Sequence, residues 1–246
     1  MSTKERFYEA VEALQKKIRD TDNTKIYEAA KMMADSIEHD GTIHLFDTGH
    51  IIDMEIINRA GGLELMRPFK YNLNVVSNDR KRVERTQKEK STSIEGLATL
   101  ALNQADILPG DVMVIGSVSG KTINVIDLAL ACHKMGVKVI ALTSVEYSSQ
   151  VDTPHSSGKH LYEVADIVLD NCAPYADAML EVKGLDSKFI PASGLAAAYI
   201  MWALNADLVD ILIEKGIQPS VLRSVNYEPN RIHNEELKKI YSDKGY

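Results

Sequence analysis

An α/β fold built on a doubly wound parallel sheet follows from three features of the sequence. Residues 112–116, 122–134 and 137–142 read as strand, helix and strand, and such a βαβ unit implies a parallel sheet. Apolar β runs and amphipathic helical runs alternate along most of the chain. Three β runs are each followed by a loop rich in small hydroxyl residues: Thr48-Gly49-His50, Ser117–Thr122 and Thr143-Ser144. In a parallel sheet such loops lie on one edge, where ligands bind at the switch in strand order.

The elements follow in order. Phe7, Ala10, Val11, Leu14 and Ile18 recur at helical spacing and predict a helix over 4–20. A second helix carries Ile26, Ala29, Ala30, Met33 and Ile37 on one face, with Asp22 or Asn23 capping its start. Gly41 ends it, and Thr42–Phe46 is a short β run. Asp47–His50 is a polar turn, and Ile51–Arg59 is helical until Gly61 and Gly62 stop it. Leu63–Met66 is a second strand. Residues 67–92 are the least regular part, either an exposed helix or a mobile excursion. Ile94–Leu102 is a helix, closed by the turn 107–110. Beyond the βαβ unit lie a strand at Val164–Leu169 and short β runs at Met179–Val182 and Lys188–Ile190. Ser193 opens a long apolar helix to about Lys215, ended by Gly216 and Pro219, and a polar tail closes with a short helix from about Asn234. The chain thus divides into an N-terminal helical extension (1–40), a ligand-binding domain (41–220) and a tail (221–246).

Composition narrows the function. With 246 residues, 45% hydrophobic and 26% charged, the chain has room for one large α/β domain with appendages. A net charge of −7 argues against a broad nucleic-acid surface but leaves room for a local anion site. Cys132 and Cys172 have neither metal-ligand nor redox spacing, and Cys132 falls among apolar helical residues, as a buried thiol would. His155 and His160 have no third ligand nearby, so neither metal nor cofactor is expected. No signal peptide or apolar run of membrane-spanning length is visible, which predicts a cytoplasmic protein.

The stretch Asp111–Thr122 (DVMVIGSVSGKT) carries the strongest functional signal. A strand runs into a small-residue loop that opens a helix, where free N–H groups and the positive end of the helix dipole favour a phosphate. It is not an ATP-binding P-loop: that pattern needs four residues between its first glycine and Gly-Lys-Ser/Thr, and only three separate Gly116 from Gly120. No strand ends in the apolar run plus Asp that would hold Mg²⁺; Val168-Leu-Asp170 is the nearest, and it is short. Hydroxyls of Ser117, Ser119 and Thr122 suit a phosphate, Gly120 allows close backbone approach, and Lys121 is either its cation or solvated. Beyond the third loop, Asp152–His160 (DTPHSSGKH) packs imidazoles, hydroxyls and a lysine onto a core strand, as a functional loop or a polar surface loop. Glu55 and Arg59 stand one turn apart on the helix after the first loop, as an i,i+4 ion pair or as a proton-moving carboxylate with its neighbour.

The pattern Ser117-x-Ser119-Gly120-x-Thr122 between a βα turn and an apolar helix resembles the phosphosugar loop of the sugar isomerase (SIS) domain family. Thr48-Gly49-His50 with Arg59–Gly62 is similar to that family's first loop. His155–Lys159, Leu161–Asp166, Val168–Asn171 and Arg223–Asn226 resemble a subgroup of stand-alone bacterial SIS proteins. The resemblance implies a three-layer αβα sandwich with a five-stranded parallel sheet of flavodoxin-like type, its N-terminal helices packed on the core or against a partner subunit. It implies a homodimer or homotetramer with sites near the interface. It further implies a phosphorylated sugar held by Ser117, Ser119 and Thr122, with Gly49, His50, Gly120, Lys121, Ser144, Ser157 and Lys159 around it. Isomerase members move a proton between adjacent carbons through an enediol, which needs a base and a second proton carrier. Glu55 best matches the family's base, and His50, His155 and His233 are the candidate histidines. Where the subgroup has Gly at the start of the first loop and Ser after its His, this chain has Asp47 and Ile51. A non-catalytic phosphosugar sensor, and a lyase or etherase acting on an N-acetylated sugar phosphate, are the alternatives on the same fold.

Overall fold

A computed structural model describes residues 1–49, 51–76 and 94–246. Five parallel strands form the central sheet: β1 (Ile43–Asp47), β2 (Met66–Pro68), β3 (Val112–Gly116), β4 (Lys138–Thr143) and β5 (Ile167–Asp170), in the order β2-β1-β3-β4-β5. Four of the five strands are rich in Ile, Val and Leu with hardly a polar interruption, as expected when both faces are covered. The order reverses between β1 and β3, which places the topological switch point there. Asp47 pairs with Gly116 in register, so the loops leaving these two strands start side by side.

One face of the sheet is covered by α1 (Thr3–Glu38), α2 (Ile51–Ile56) and α7 (Ser193–Glu214), whose buried side chains share a core with Ile43, Leu45, Val112 and Val114. The other is covered by α3 (Leu97–Leu102), α4 (Ile123–Lys134) and α6 (Leu161–Val164), packed on Phe46, Met113, Ile115 and Val139. A short helix α5 (Val145–Ser148) follows β4, and β6 (Ala178–Leu180) and β7 (Phe189–Pro191) form a separate antiparallel pair before α7. The chain closes with α8 (Glu228–Lys244). Three layers with a parallel centre are therefore the architecture, as the sequence predicts.

Several boundaries move. The two expected N-terminal helices are one, because 20–25 contains neither Gly nor Pro and Leu14, Ile18, Asp22 and Ile26 form one buried stripe. Asp22 is no cap: it is fully buried inside the helix. The strand expected at Leu63–Met66 begins at Met66, because Leu63 bridges Val221 and the Glu64 N–H donates to the Ser220 carbonyl. The helix expected from Ile94 starts at Leu97, where the Asp127 carboxylate accepts the Gly96 and Ala98 N–H groups. The run Val164–Leu169 divides between α6 and β5, and Asp166 between them accepts from Val139 N, Lys138 and His133. The last helix starts six residues earlier than expected, at Glu228 with Pro229 in its first turn. Of the irregular stretch 67–92, residues 77–92 lie outside the described residues.

By length and composition α7 could cross a membrane, with mean hydropathy 1.5, although the sequence reading finds no such run. Half of it is buried in the core, however, and its long face packs on α1 and α2. Cys132 is fully buried, and burial pushes its thiol up to about 12, as for an inert core cysteine.

Candidate active site

The loops that leave β1 and β3 are held together by glycine at the switch point. A Cβ on Gly116 would stand 2.5 Å from Ile52 Cδ1 and 3.0 Å from Asp47 Oδ1, so a larger residue at the end of β3 would push these two side chains aside. The Thr48 N–H donates to the Gly116 carbonyl at 3.1 Å. Asp47 accepts from Gly49 N and Ile52 N, each at 2.9 Å. Asp47, the departure from the subgroup's Gly, is thus the cap of α2. His50 lies outside the described residues.

The Ser117–Thr122 loop has an uneven distribution of satisfied backbone groups. The Val118 carbonyl accepts the Ser144 N–H at 3.0 Å and the Thr143 hydroxyl at 3.1 Å. The Gly120 carbonyl accepts the Leu161 N–H at 2.8 Å, and the Lys121 carbonyl accepts the Thr153 hydroxyl at 3.0 Å. Among the described residues, no N–H from Val118 to Thr122 donates to anything. Thr122 is the N-cap of α4 but its side chain makes no capping bond, and its Oγ1 is buried without a partner. Acceptors in this loop are consumed while donors stay open, which is the arrangement an anion completes.

The other helices at this edge are closed. Asp47 caps α2, and Ser144 caps α5 by accepting the Tyr147 N–H at 3.0 Å. Asp177 caps α7, accepting Ala192 N, Ser193 N and the Ser193 hydroxyl at 3.1, 2.8 and 2.7 Å. A carboxylate already occupies the start of α7, so α4 is the open one. Gly120 lies at φ +55°, and a Cβ there would be 2.9 Å from Thr143 Oγ1 and 3.0 Å from Ser148 Oγ, so the loop lies directly on the β4 exit.

Beside the loop lies a small cleft of about 60 Å³ lined by Thr48, Gly49, Ser117, Asn171, Ser193 and Ala197, among others. Gly49 and Ser117 are thus brought together. Ser144 is not available to a ligand as expected: it is fully buried, and its hydroxyl donates to the Ala173 carbonyl at 2.7 Å while capping α5. The 152–160 segment folds back on the loop through Thr153. His155 is buried, its Nδ1 accepts the Ser157 N–H at 3.1 Å and lies 2.8 Å from Ser157 Oγ. A neutral His155 therefore carries its proton on Nε2, which is buried without a partner. Ser157 accepts the Lys159 N–H and is occupied in shaping this turn, whereas the Lys159 side chain is exposed. Ser156 is clamped by Glu95, which accepts its N–H at 2.9 Å and its hydroxyl at 2.5 Å; these bonds hold the Glu95 carboxyl below its usual range.

Glu55 sits one turn beyond Ile52, partly exposed. Its Oε2 is 2.9 Å from Arg59 Nη1 and its Oε1 accepts the Trp202 indole N–H at 3.2 Å. His233 stands half-buried on α8, which docks through Leu237 and through Tyr241 under the Arg67 guanidinium, 3.6 Å from the ring centroid. Neither Glu55 nor His233 touches the Ser117–Thr122 loop through any of these bonds. Trp202 and Asp177 carry no local signal in the sequence, because their partners lie far away in it, and the sequence marks Ser193 only as a helix start and Asn171 only as part of a matched run. Among the described residues no three metal-ligating side chains cluster.

Comparison with known proteins identifies the family and the fold. The SIS domain profile matches residues 6–144. A UPF0309 protein of Shouchella clausii is 35% identical over 240 residues, covering 96% of each chain. A UPF0309 protein of Listeria monocytogenes is 32% identical over 240 residues, covering 97% of each. Among solved structures, phosphoheptose isomerases from Neisseria gonorrhoeae (TM-score 0.51, 17% identity, 87% of this chain and 100% of that one) and Francisella tularensis (0.50, 13%, with the same coverage) share the fold. The five-stranded sheet, the open loop after β3 and these matches place the chain in the SIS domain family.

Proposed function

We propose that this protein binds a phosphorylated sugar and interconverts its aldose and ketose forms. The observation that carries the reading is the Ser117–Thr122 loop, with the Val118, Gly120 and Lys121 carbonyls tied down, the Val118–Thr122 amides open and α4 uncapped behind it. The phosphate sits against those amides with the hydroxyls of Ser117, Ser119 and Thr122, and Lys121 at the loop's exit supplies a cation. The sugar extends toward Gly49 and the 155–159 turn. Glu55 is the base that takes the proton from C2 of the aldose and returns it to C1. A histidine carries the accompanying proton from O2 to O1; His155, with its proton on a buried Nε2, is the first choice, and His50 and His233 are the others. Arg59 and Trp202 fix both oxygens of Glu55. The protein works without a cofactor, as a homodimer or homotetramer. A second copy packs on the half of α7 left outside the core, where Leu195 and Ile213 are exposed.

The test is a panel of hexose, pentose and amino-sugar phosphates followed by NMR for aldose–ketose exchange and for solvent deuterium entering C1 or C2. Exchange in one member, abolished in Glu55→Gln, supports the reading. Binding across the panel with no turnover in any member sinks the isomerase and leaves a phosphosugar sensor. Loss of a substituent from the sugar identifies a lyase or etherase instead.

A further inference from the structure

A cleft of about 470 Å³ opens between the exit of α2 and the C-terminal tail, and no residue of the Ser117–Thr122 loop lines it. Arg59 faces it from the turn after α2, Arg223 and Asn226 from the tail, Arg231 and Lys238 from α8, with Glu235 as its one acidic wall residue. Three of these cations are ion-paired, Arg59 with Glu55, Arg231 with Glu228 and Lys238 with Glu235, and Arg223 is the one with no carboxylate partner among the described residues. The volume of the cleft falls in the range of small-molecule sites.

The tail is built to hold Arg223 in place. Leu222 exchanges backbone hydrogen bonds with Gly61 and Gly62, at 2.8 and 2.9 Å. The buried Asn234 side chain accepts the Arg223 N–H at 2.9 Å and donates to the Arg223 carbonyl at 2.8 Å. Asn230 donates to the Ser224 carbonyl and Arg231 to that of Val225. Both backbone groups of Arg223 are thus fixed, while its guanidinium has no carboxylate partner among the described residues. The fixed backbone sets where the guanidinium starts from, and its planar fork suits a bidentate anion.

Arg59 belongs to two places at once. One of its nitrogens is 2.9 Å from Glu55 Oε2, and its side chain lines the cleft. We propose that this cleft is a second anion site, taking a small phosphate-bearing molecule between Arg223, Arg231 and Arg59, and that its occupant competes with Glu55 for Arg59. Occupation then frees one Glu55 oxygen while Trp202 retains the other. The inference goes beyond the isomerase reading and stands even if Glu55 moves no proton in any assay.

Trp202 is the chain's one tryptophan, so its fluorescence reports on Glu55. The full chain is titrated with inorganic phosphate at constant ionic strength, by fluorescence and by calorimetry. A saturable change is expected in the wild type and in the Gly120→Ala variant with Ser117→Ala and Ser119→Ala, which displaces the β3 loop amides and removes two of its hydroxyls. Arg223→Gln, and independently Arg231→Gln, weaken binding about tenfold, the loss of one charge-assisted hydrogen bond. Glu55→Gln tightens it, because the competitor for Arg59 loses its charge. The proposal is overturned by a change that does not saturate, by an equal response to chloride or citrate, by titrations unaltered in both arginine variants, or by a response that disappears in the β3 loop variant. Unchanged affinity in Glu55→Gln overturns the competition.

Discussion

Asp22 of α1 accepts the backbone N–H of Asp170 at the end of β5, joining the N-terminal helix to the sheet edge from which the ligand loops leave. The carboxylate is fully buried, with the Lys25 ammonium 3.5 Å from its other oxygen. Burial raises its pKa from 3.8 to about 6, the charge of Asp170 adds to the rise, and Lys25 with the Asp170 N–H opposes it.

A raised carboxyl favours the folded state below the unfolded pKa near 3.8, and that contribution is lost as pH climbs through about 6. At neutral pH the ionised Asp22 therefore costs stability, on the order of 3 kcal/mol for a shift of this size. Asp22→Asn keeps an acceptor for the Asp170 N–H and removes the titration. The variant should gain stability relative to wild type as pH goes from 5 to 8, read from urea unfolding at both ends. A difference independent of pH would mean that Asp22 does not titrate in this window.

Gly120 is the point at which the β3 loop can be disturbed by a single methyl group. Its φ of +55° disfavours an L side chain, and the new Cβ would press on the Thr143 and Ser148 hydroxyls. Gly120→Ala should destabilise the protein by about 1–3 kcal/mol. It should also weaken sugar-phosphate binding more than binding of the dephosphorylated sugar, since the displaced amides are those proposed to hold the phosphate. Equal weakening for the two ligands would separate the loop from the phosphate.

Ser144 and Ser119 sit on neighbouring loops with opposite duties. The Ser144 hydroxyl is consumed by Tyr147 and Ala173, whereas that of Ser119 makes no bond among the described residues. Ser144→Ala should cost about 1–2 kcal/mol of stability, as for a lost cap, and leave ligand affinity unchanged. Ser119→Ala should leave the melting temperature in place and weaken sugar-phosphate binding about tenfold. Thermal melts with and without ligand read both effects in one experiment.

The sheet and its open loop were legible because they are local. Val112–Gly116 and Val139–Leu142 are continuous apolar runs, and Ser117–Thr122 joins a strand to a helix within six residues. What sequence could not show was the use of each polar group. Asp22 looked like a cap because a buried carboxylate in a helical stripe is indistinguishable from one at a helix start. Ser144 looked like a ligand contact because hydroxyls after a strand serve caps and ligands alike. Asp177 reaches Ser193 across sixteen residues, and Trp202 reaches Glu55 across α7 and α2, beyond any local pattern.

That last contact carries a prediction about rate. Glu55 is gripped on both oxygens, by Arg59 and by the Trp202 indole N–H. Glu55→Gln should retain sugar-phosphate binding and lower kcat by about 10²–10⁴, the usual worth of a general base. Trp202→Phe keeps an aromatic ring beside Gly62 and removes the N–H alone, so Glu55 loses one orienting bond worth about 1 kcal/mol. If Glu55 is the proposed base, kcat should fall about fivefold with KM unchanged, because the indole touches Glu55 and not the Ser117–Thr122 loop. A rise in KM with kcat preserved would instead make Trp202 a wall of the sugar pocket, and Glu55 a structural partner of α7.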